Sequence, residues 1–554
     1  MRESLLASTY WAGDKPDNDP ATLDGTLLVP EANVAVAAAA TQVRDLRLTL
    51  APQRGLWPDL STVEYWDAPV WAGPLVRVGG KAAISDARVK ELANALPRKK
   101  GTRAPAVVDL GGSDPVATSV AIAKAAYPDG ARTAYLANAA GGVDAAAATS
   151  LLDGPVLLVP SCGALPASVK TYLAALKPRN VIALGSTGSV CDGLLDQAAA
   201  ATRPMPRLKA VDVSAADLDF ERGGGAMHCA LDTAGAVRCW GEGYRRNANT
   251  WRGWRAPHLV PELASGVKQL AGSTACAVTS KGALLCPEEG RGGTVAWRPV
   301  RGLTSGVVNG GSGTCVLTQG GVPWCLELDT TPPRIGDVAR PTRATRIAGV
   351  TNAVQVAGTA KLGCARHPNG TVRCWGIWSD GPGKPARNHG ATPMRGLPAG
   401  IVEVDVLEEG TGDLDGTLRT IPQLVMRTRD GRAYVRSVLA RTDGMTYRLP
   451  NNASKLAADG SGCHITRVGS VTCDLGKVGS GTNAVDLPAL VQAKGGQLVD
   501  VSIPGAYAIH GIAVRKDGTV VNWDTTGRRP RSTYLGDGSI IERETPAEPL
   551  GFDR

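Results

Sequence analysis

The chain has 554 residues, 43% hydrophobic and 20% charged, long enough for two domains with buried cores. No stretch is long and apolar enough to span a membrane, and 68 glycines with 37 prolines suit a turn-rich fold. The net charge of +9 is unevenly placed: residues 1–203 hold 19 basic and 19 acidic side chains, and the remainder 41 basic and 32 acidic. An anionic polymer would therefore feel its attraction in the C-terminal part; the same modest excess would also aid solubility. The N-terminal "MRESLLASTYWAG" lacks the continuous apolar core of a signal peptide.

Residues 1–103 contain "GTLLVPEANVAVAAAATQV", a strand followed by a helix. "GPLVRVGGKAAISDARVKELANAL" then reads as strand, Gly-Gly turn and helix. From 105 the alternation is clearer. "APAVVDL", "RTAYLAN", "PVLLVP" and "NVIALGS" are short apolar strands, and helix-forming runs such as "DPVATSVAIAKAAY" and "SVKTYLAAL" follow them. Such alternation predicts a parallel sheet covered on both faces. The stretches "GGSDPVATSVAIAKAAY", "VDAAAATSLLDGPVLLVP" and "ALPASVKTYLAALKPRNVIALGSTGSV" resemble the type 2 cell-wall-binding repeat, a module that attaches surface proteins to Gram-positive envelopes. Residues 104–203 look like one copy and residues 1–103 like a degenerate second. Family members commonly carry three. Cys162 and Cys191 follow two strands of this sheet, so a disulfide between them is expected; a redox or metal pair would need a neighbouring His or a CxxC, and neither is there.

The region 204–554 has a different texture. Cysteines recur ten residues apart: Cys229 with Cys239, Cys276 with Cys286, Cys315 with Cys325, Cys364 with Cys374 and Cys463 with Cys473. Each pair has glycine six residues after the first cysteine. A hairpin with a three-residue loop places glycine at the left-handed third loop position, where a Cβ would clash. Counting outward, the two cysteines become cross-strand partners in a non-hydrogen-bonded pair with Cα atoms ~4.5 Å apart. A disulfide suits that separation and contributes roughly 3 kcal/mol in the chain-entropy model. "LVMRTRDGRAYV" keeps Gly431 with Val425 and Val435 at the cysteine offsets, and "GIAVRKDGTVVNW" keeps Gly518 with Ile512 and Asn522 there. Both thiols of a pair are lost together. Seven units with glycines 235, 282, 321, 370, 431, 469 and 518, spaced by about forty to sixty residues, predict a seven-bladed β-propeller, with an open solenoid as the rival.

"CALDTAGAVRCWG" and "CARHPNGTVRCWG" carry a resemblance to the bacterial, secreted form of the RCC1-like repeat over roughly 205–550. The G-Q-L-G segment that usually follows C-W-G is absent, and "EGYRRNANTWRGWR" stands in its place. Eukaryotic members act on a small nuclear GTPase. Paired cysteines speak against that role, because they require an oxidising compartment, and the expectation is that a signal has been removed.

No H-E-x-x-H, Walker loop, G-x-S-x-G or catalytic-cysteine context occurs, and "DLGGSDP" has only part of a G-x-G-x-x-G. Six histidines are scattered. The expectation is a non-enzymatic protein without metal or cofactor. Candidate partner-binding residues are Tyr244, Arg245, Arg246, Trp251, Arg252, Trp254 and Arg255, in what reads as one inter-blade connection, and Trp378. Tyr, Trp and Arg dominate interfaces, and aromatics stack on sugars; tucking under the blade rim is the competing reading. Trp240 and Trp375, each next to a blade cysteine, read as blade packing. The sequence thus points to a secreted or cell-surface protein, a cell-wall-binding-like α/β module displaying a disulfide-stapled propeller. Its partner would be a cell-wall polymer, a surface glycan or a protein, with no nucleic acid and no membrane span. Alternatives are a secreted inhibitor of an extracellular enzyme and a subunit of a larger extracellular assembly.

Overall fold

A computed structural model describes residues 22–23, 26–30, 34–40, 47–51, 70–71, 75–95, 106–127, 130–141, 144–145, 153–202, 209–217, 226–241, 254–289, 295–328, 341–359, 362–379, 386–412, 418–438, 447–448, 453–457, 463–467, 469, 471–472, 497–503 and 510–524. Among them, no helix is long and apolar enough to cross a membrane.

The N-terminal elements are β1 (Thr26–Pro30), α1 (Val34–Ala40), β2 (Arg47–Ala51), β3 (Leu75–Val78) and α2 (Asp86–Ala95). After them come β4 (Val107–Leu110), α3 (Pro115–Ala126), β5 (Thr133–Asn138), β6 (Val156–Val159), α4 (Ala167–Leu176), β7 (Asn180–Ala183) and α5 (Asp192–Ala201). Two larger parallel sheets result, in the orders β2-β1-β3-β4 and β6-β5-β7, beside a parallel pair of Thr22–Leu23 with Val70–Trp71. In each of the larger sheets, the first strand is central, its successor lies on one side and the third on the other. β4, on the far side of the 103/104 boundary, hydrogen-bonds to β3, so the two units share a strand. They share a core as well: Val36 and Ala39 of α1 cluster with Ile122 of α3, Tyr135 of β5 and Leu158 of β6. The inner strands β3 and β5, and the edge strand β6 with them, are almost wholly buried, as parallel strands covered on both faces must be, whereas the edges β4 and β7 leave Val107, Val108 and Ile182 exposed.

The helix starts follow from their sequences. Asp114 caps α3, accepting from the Ala117 amide at 2.8 Å, and Pro115 occupies the first turn where no amide partner is required. Inside α3, the Ser119 hydroxyl accepts from the Leu158 amide at 2.9 Å and so ties the helix to β6.

C-terminal to this module, antiparallel sheets succeed one another in a mostly-β, propeller-like arrangement. Strands of residues 212–259, 267–299, 307–346, 355–393 and 401–448 form sheets of four, the fourth of them joined in parallel by Ser312–Gly313, and those of 453–472 and 498–524 form sheets of three. The predicted cysteine register holds at Cys229↔Cys239, Cys315↔Cys325 and Cys364↔Cys374. The second hairpin corrects the expectation that its cysteines are ladder partners. Its ladder consists of Val278↔Leu284 and Ala277↔Leu285, so Cys276 and Cys286 stand one step beyond the last paired residues. Ala275, immediately before Cys276, takes φ 52° at the end of a 3-10 turn over Gly272–Thr274, and the strand only begins at the cysteine. Cys276 pairs outward with Ala271 and Cys286 with Arg298, yet the bridge between the two cysteines is formed all the same.

The disulfides Cys229–Cys239, Cys276–Cys286, Cys315–Cys325 and Cys364–Cys374 have Cα–Cα separations of 4.0–4.1 Å, and Cys162–Cys191 is formed at 5.3 Å. Cys463 is disulfide-bonded too; Cys473 lies outside the described residues. In the sheet of 401–448, Val425 faces Val435 at the cysteine positions, and in the last sheet Ile512 faces Asn522.

Every hairpin glycine from 235 to 518 has positive φ, between 64° and 84°. Each also meets the neighbouring sheet. The carbonyls of Gly235, Gly282, Gly321, Gly431 and Gly469 accept from the amides of Val267, Val307, Ala353, Ala453 and Leu498, at 2.8–3.2 Å. A Cβ on Gly370 would lie 3.3 Å from the Ile401 carbonyl. The Gly518 carbonyl accepts from Ala210, ahead of the first sheet, at 2.7 Å. The glycine therefore serves twice, once for the turn and once for close approach of the next strand.

A second device repeats where that next strand begins. Register shifts at Lys268, Val308, Val402, Ser454 and Val499 mark β-bulges in five inner strands. A bulge re-aims the residue after it. Gln269 thereby accepts from the Gly310 amide at 3.1 Å, Glu403 from the Leu456 amide at 3.1 Å, and Lys455 donates to Asp500. Trp240 and Trp375 are buried, in agreement with blade packing.

Candidate functional site

In open parallel sheets, ligands sit beyond the carboxyl ends of the strands, where successive connections leave a central strand in opposite directions. β5 is such a strand, between β6 and β7. Beyond its end, the Asn138 side chain accepts from the Ala140 amide at 2.9 Å and shapes the turn. Beyond β7, Gly185 takes φ 87°; a Cβ there would fall 2.5 Å from a carboxylate oxygen of Asp144 and 2.7 Å from the Ser189 hydroxyl. The glycine is thus what lets Asp144 and Ser189 converge. Ser186 and Thr187 of the same loop are exposed.

The third wall is the loop after β6. Cys162 is bridged to Cys191, the residue at the start of α5, and the Cys191 amide donates to the Ser161 carbonyl at 2.8 Å. Gln197 holds the loop from the helix side, donating to Gly163 at 3.0 Å and accepting from Leu165 at 2.9 Å. The bridge and these hydrogen bonds tie the loop after β6 to α5, and hydroxyl, amide and carboxylate side chains lie at the strand ends. Such groups exchange hydrogen bonds with polyhydroxylated ligands. Both thiols are consumed in the bridge. Among the described residues, no three His, Cys, Asp or Glu side chains are grouped so as to hold a metal ion.

In the first sheet the turns after β3 and β4 press against each other. Gly79 and Gly80 take φ 82° and 71° after β3, and a Cβ on Gly111 after β4 would lie 2.9 Å from the Gly80 nitrogen. Beneath this contact Arg77, 2% exposed, forks onto Asp109 through Nε and, at 2.9 Å, through Nη2. Its Nη1 donates to Asp86 at 2.7 Å and to the Ile84 carbonyl at 3.0 Å. Hydrogen bonding to Asp109 raises the Arg77 pKa; the Arg77 fork in turn holds the Asp109 carboxyl below its ordinary range. These groups are spent on holding β3, β4 and α2 together, and the sequence reading did not single them out.

The sequence-predicted interface falls mostly outside the described residues: Tyr244, Arg245, Arg246, Trp251 and Arg252 all do. The backbone of Trp254 and Arg255 is described, in the strand Trp254–Leu259, whose Trp254 pairs with Gly241. This corrects one expectation. The connection 242–253 joins the third and fourth strands of the first sheet and does not run between sheets, because "WRAPHL" is itself a strand that completes the same sheet. Trp378 lies in the strand Val372–Ser379, paired with Arg387, well apart from that connection in sequence and in another sheet.

Residues 110–195 match the family model for cell wall binding domain 2 (CWB2). No curated protein matches the chain. Among solved structures, Cwp8 from Clostridium difficile is 18% identical over 36% of this chain and 32% of its own, with a TM-score of 0.26. Yeast RCC1 (Prp20) bound to Kap60 is 18% identical over 38% of this chain and 54% of its own, TM-score 0.27. Human WBSCR16 is 14% identical over 62% and 83%, TM-score 0.30. The chain thus spans about a third of the Cwp8 chain and about half of the yeast RCC1 chain. It combines a segment that matches cell wall binding domain 2 with a propeller-like arrangement of disulfide-bearing sheets.

Proposed function

We propose that this is a secreted or cell-surface, non-enzymatic binding protein. Its two-unit α/β module attaches to a cell-wall polymer through the mouth beyond β5, β6 and β7, and its propeller, closed with seven blades, engages a further ligand or protein. The observation that carries the reading is the CWB2 match over 110–195 on the very segment that builds that mouth. Closure of the ring is supported by the bond from the Ala210 amide to the Gly518 carbonyl and by the Ala215 amide donating to the Ser502 hydroxyl, which join the first sheet to the last. The disulfides support an oxidising location.

The test is co-sedimentation of the full chain with isolated Gram-positive cell walls. Wild-type protein pellets with the walls at physiological salt, and Ser186→Trp, which fills the mouth from an exposed position, abolishes pelleting without altering the melting temperature. Failure of the wild-type chain to pellet at any salt concentration overturns the anchor. Retention by Ser186→Trp moves attachment elsewhere on the molecule.

A further inference from the structure

A cleft of about 470 Å³ opens where the sheets of 401–448, 453–472 and 498–524 meet. Its walls carry Arg427, Lys455 and Arg467, interleaved with the neutral hydrogen-bonding side chains of Ser454, Thr466 and Gln497. The volume is in the range of small-ligand sites.

The cleft comes from the repeat devices, used asymmetrically. The bulge at Ser454 re-aims Lys455 toward Asp500 in the next sheet, and Glu403, after the bulge in the preceding sheet, binds Arg427 at 2.7 Å. Two of the three cations are thereby balanced by built-in carboxylates. Among the described residues Arg467 is paired with no carboxylate: its guanidinium donates to the Asp430 backbone carbonyl, its side chain is exposed, and it reaches over Gly431, where a Cβ would stand 2.7 Å from Nη2. Behind Lys455 lies Asp212. Burial, then the charge of neighbouring Asp500, pushes its carboxyl well above the ordinary range. The cleft thus offers excess positive charge, hydroxyl and amide partners, and an exposed apolar edge at Val499.

We propose that this cleft binds an anionic glycan, a sugar polymer whose carboxylate or phosphate groups meet Arg467 and whose hydroxyls meet Gln497, Ser454 and Thr466. Polyhydroxylated ligands suit the interleaving of neutral polar groups with cations, and the open, groove-like form admits a polymer passing through. The site lies in the propeller and does not depend on the α/β module attaching to walls.

The test measures binding of the full chain to polygalacturonate, a phosphomannan, neutral dextran and poly-L-glutamate at low and physiological salt. Binding to either acidic glycan above dextran is expected, weakened at least tenfold by Arg467→Glu and severalfold by Gln497→Ala, an exposed residue whose loss leaves charge and folding unchanged. Arg301→Glu makes the same charge change at an exposed position away from the cleft and should leave affinity within twofold. The relative affinities for polygalacturonate and phosphomannan identify the acid group. Equal weakening by Arg301→Glu, equal binding of dextran, tighter binding of poly-L-glutamate, or no binding of either acidic glycan each overturns the proposal. Ser186→Trp should leave these affinities unchanged, so the result stands apart from that of wall sedimentation.

Discussion

Gly282 and Gly306 offer a comparison, because both have φ 78° and a side chain would meet different surroundings at each. A Cβ on Gly306 has nothing within 4 Å, whereas one on Gly282 would stand 2.8 Å from the Gly306 nitrogen and 3.1 Å from the Val307 carbonyl oxygen. Gly306→Ala should therefore cost only the left-handed strain, about 1–2 kcal/mol. Gly282→Ala adds a backbone collision across the sheet junction, a further ~1–3 kcal/mol if it behaves as core overpacking does. The extra cost falls on one bond, from the Val307 amide to the Gly282 carbonyl at 2.9 Å. Hydrogen exchange at the Val307 amide reads it directly and needs no two-state model of a multidomain chain. Relative to Gly306→Ala, Gly282→Ala should accelerate that exchange roughly five- to a hundredfold. Equal exchange in the two variants would refute the double role of the hairpin glycine.

Replacing Cys364 alone by Ala should remove roughly 3 kcal/mol of cross-link stabilisation and leave Cys374 as a buried thiol; replacing both by Val should cost less, because Val425 and Val435 already face each other in the equivalent register, and denaturant unfolding under non-reducing conditions ranks them. Asp517, held down to about 2 chiefly by the Thr519 hydroxyl and also by Lys209, should contribute stability above its unfolded value near 3.9 that is lost as pH falls from about 4 toward 2. Acid titration of the propeller transition should show that loss flattened in Asp517→Asn. Asp109→Ala leaves the Arg77 guanidinium buried with Asp86 as its remaining carboxylate partner. The cost should be ~2 kcal/mol by urea unfolding, below the ~3–5 kcal/mol of a fully buried pair because Asp109 is 49% exposed.

What could be read from the sequence was whatever repeats with fixed spacing. The cysteine offsets and the glycine six residues on determine register by counting, so the hairpins and their staples follow from the chain alone. Counting did not show that the ladder stops short of Cys276 and Cys286, because the turn at Ala275 that delays the strand carries no glycine to mark it. The α/β strands were legible because buried parallel strands are continuous apolar runs, as in "PVLLVP". The clasp and the bulges were not read. A glycine required by its turn gives no separate sign of a neighbour pressing on it. The bulged strands do leave a trace, a polar residue between apolar or small ones in "VKQLA", "VEV" and "SKL", but a one-residue insertion shifts alternation by one and erases the period-two signal. The cleft was harder still. Arg427, Lys455, Arg467 and Gln497 are spread over seventy residues of sequence and converge only when three sheets meet. The stretch 242–253 was placed between sheets because the C-W-G motif reads as the end of a unit, whereas one more strand of the same sheet follows it.

The two devices of the repeat have separable duties, and the pattern of their retention shows it. Disulfides act within a sheet: each bridge staples the two strands of one hairpin. The glycine carbonyl acts between sheets. In the sheets of 401–448 and 498–524 the cysteine positions hold Val425 with Val435 and Ile512 with Asn522, yet Gly431 and Gly518 keep both their positive φ and their bonds to the next strand. If the cysteines positioned neighbouring sheets, these two sheets would be the ones to lose their contact. They do not. Staples are therefore replaceable by other buried pairs, one hairpin at a time, while the clasp has no substitute, since a side chain at that glycine must strain the turn and press on the adjoining backbone at once. A propeller built this way can vary the stability of single sheets and the chemistry of its bulged residues, as between Gln269, Glu403 and Lys455, without altering how one sheet is joined to the next. The cation-lined cleft lies at a junction where that freedom has been used twice in succession, at Glu403 and at Lys455, with the glycine bonds on either side unchanged.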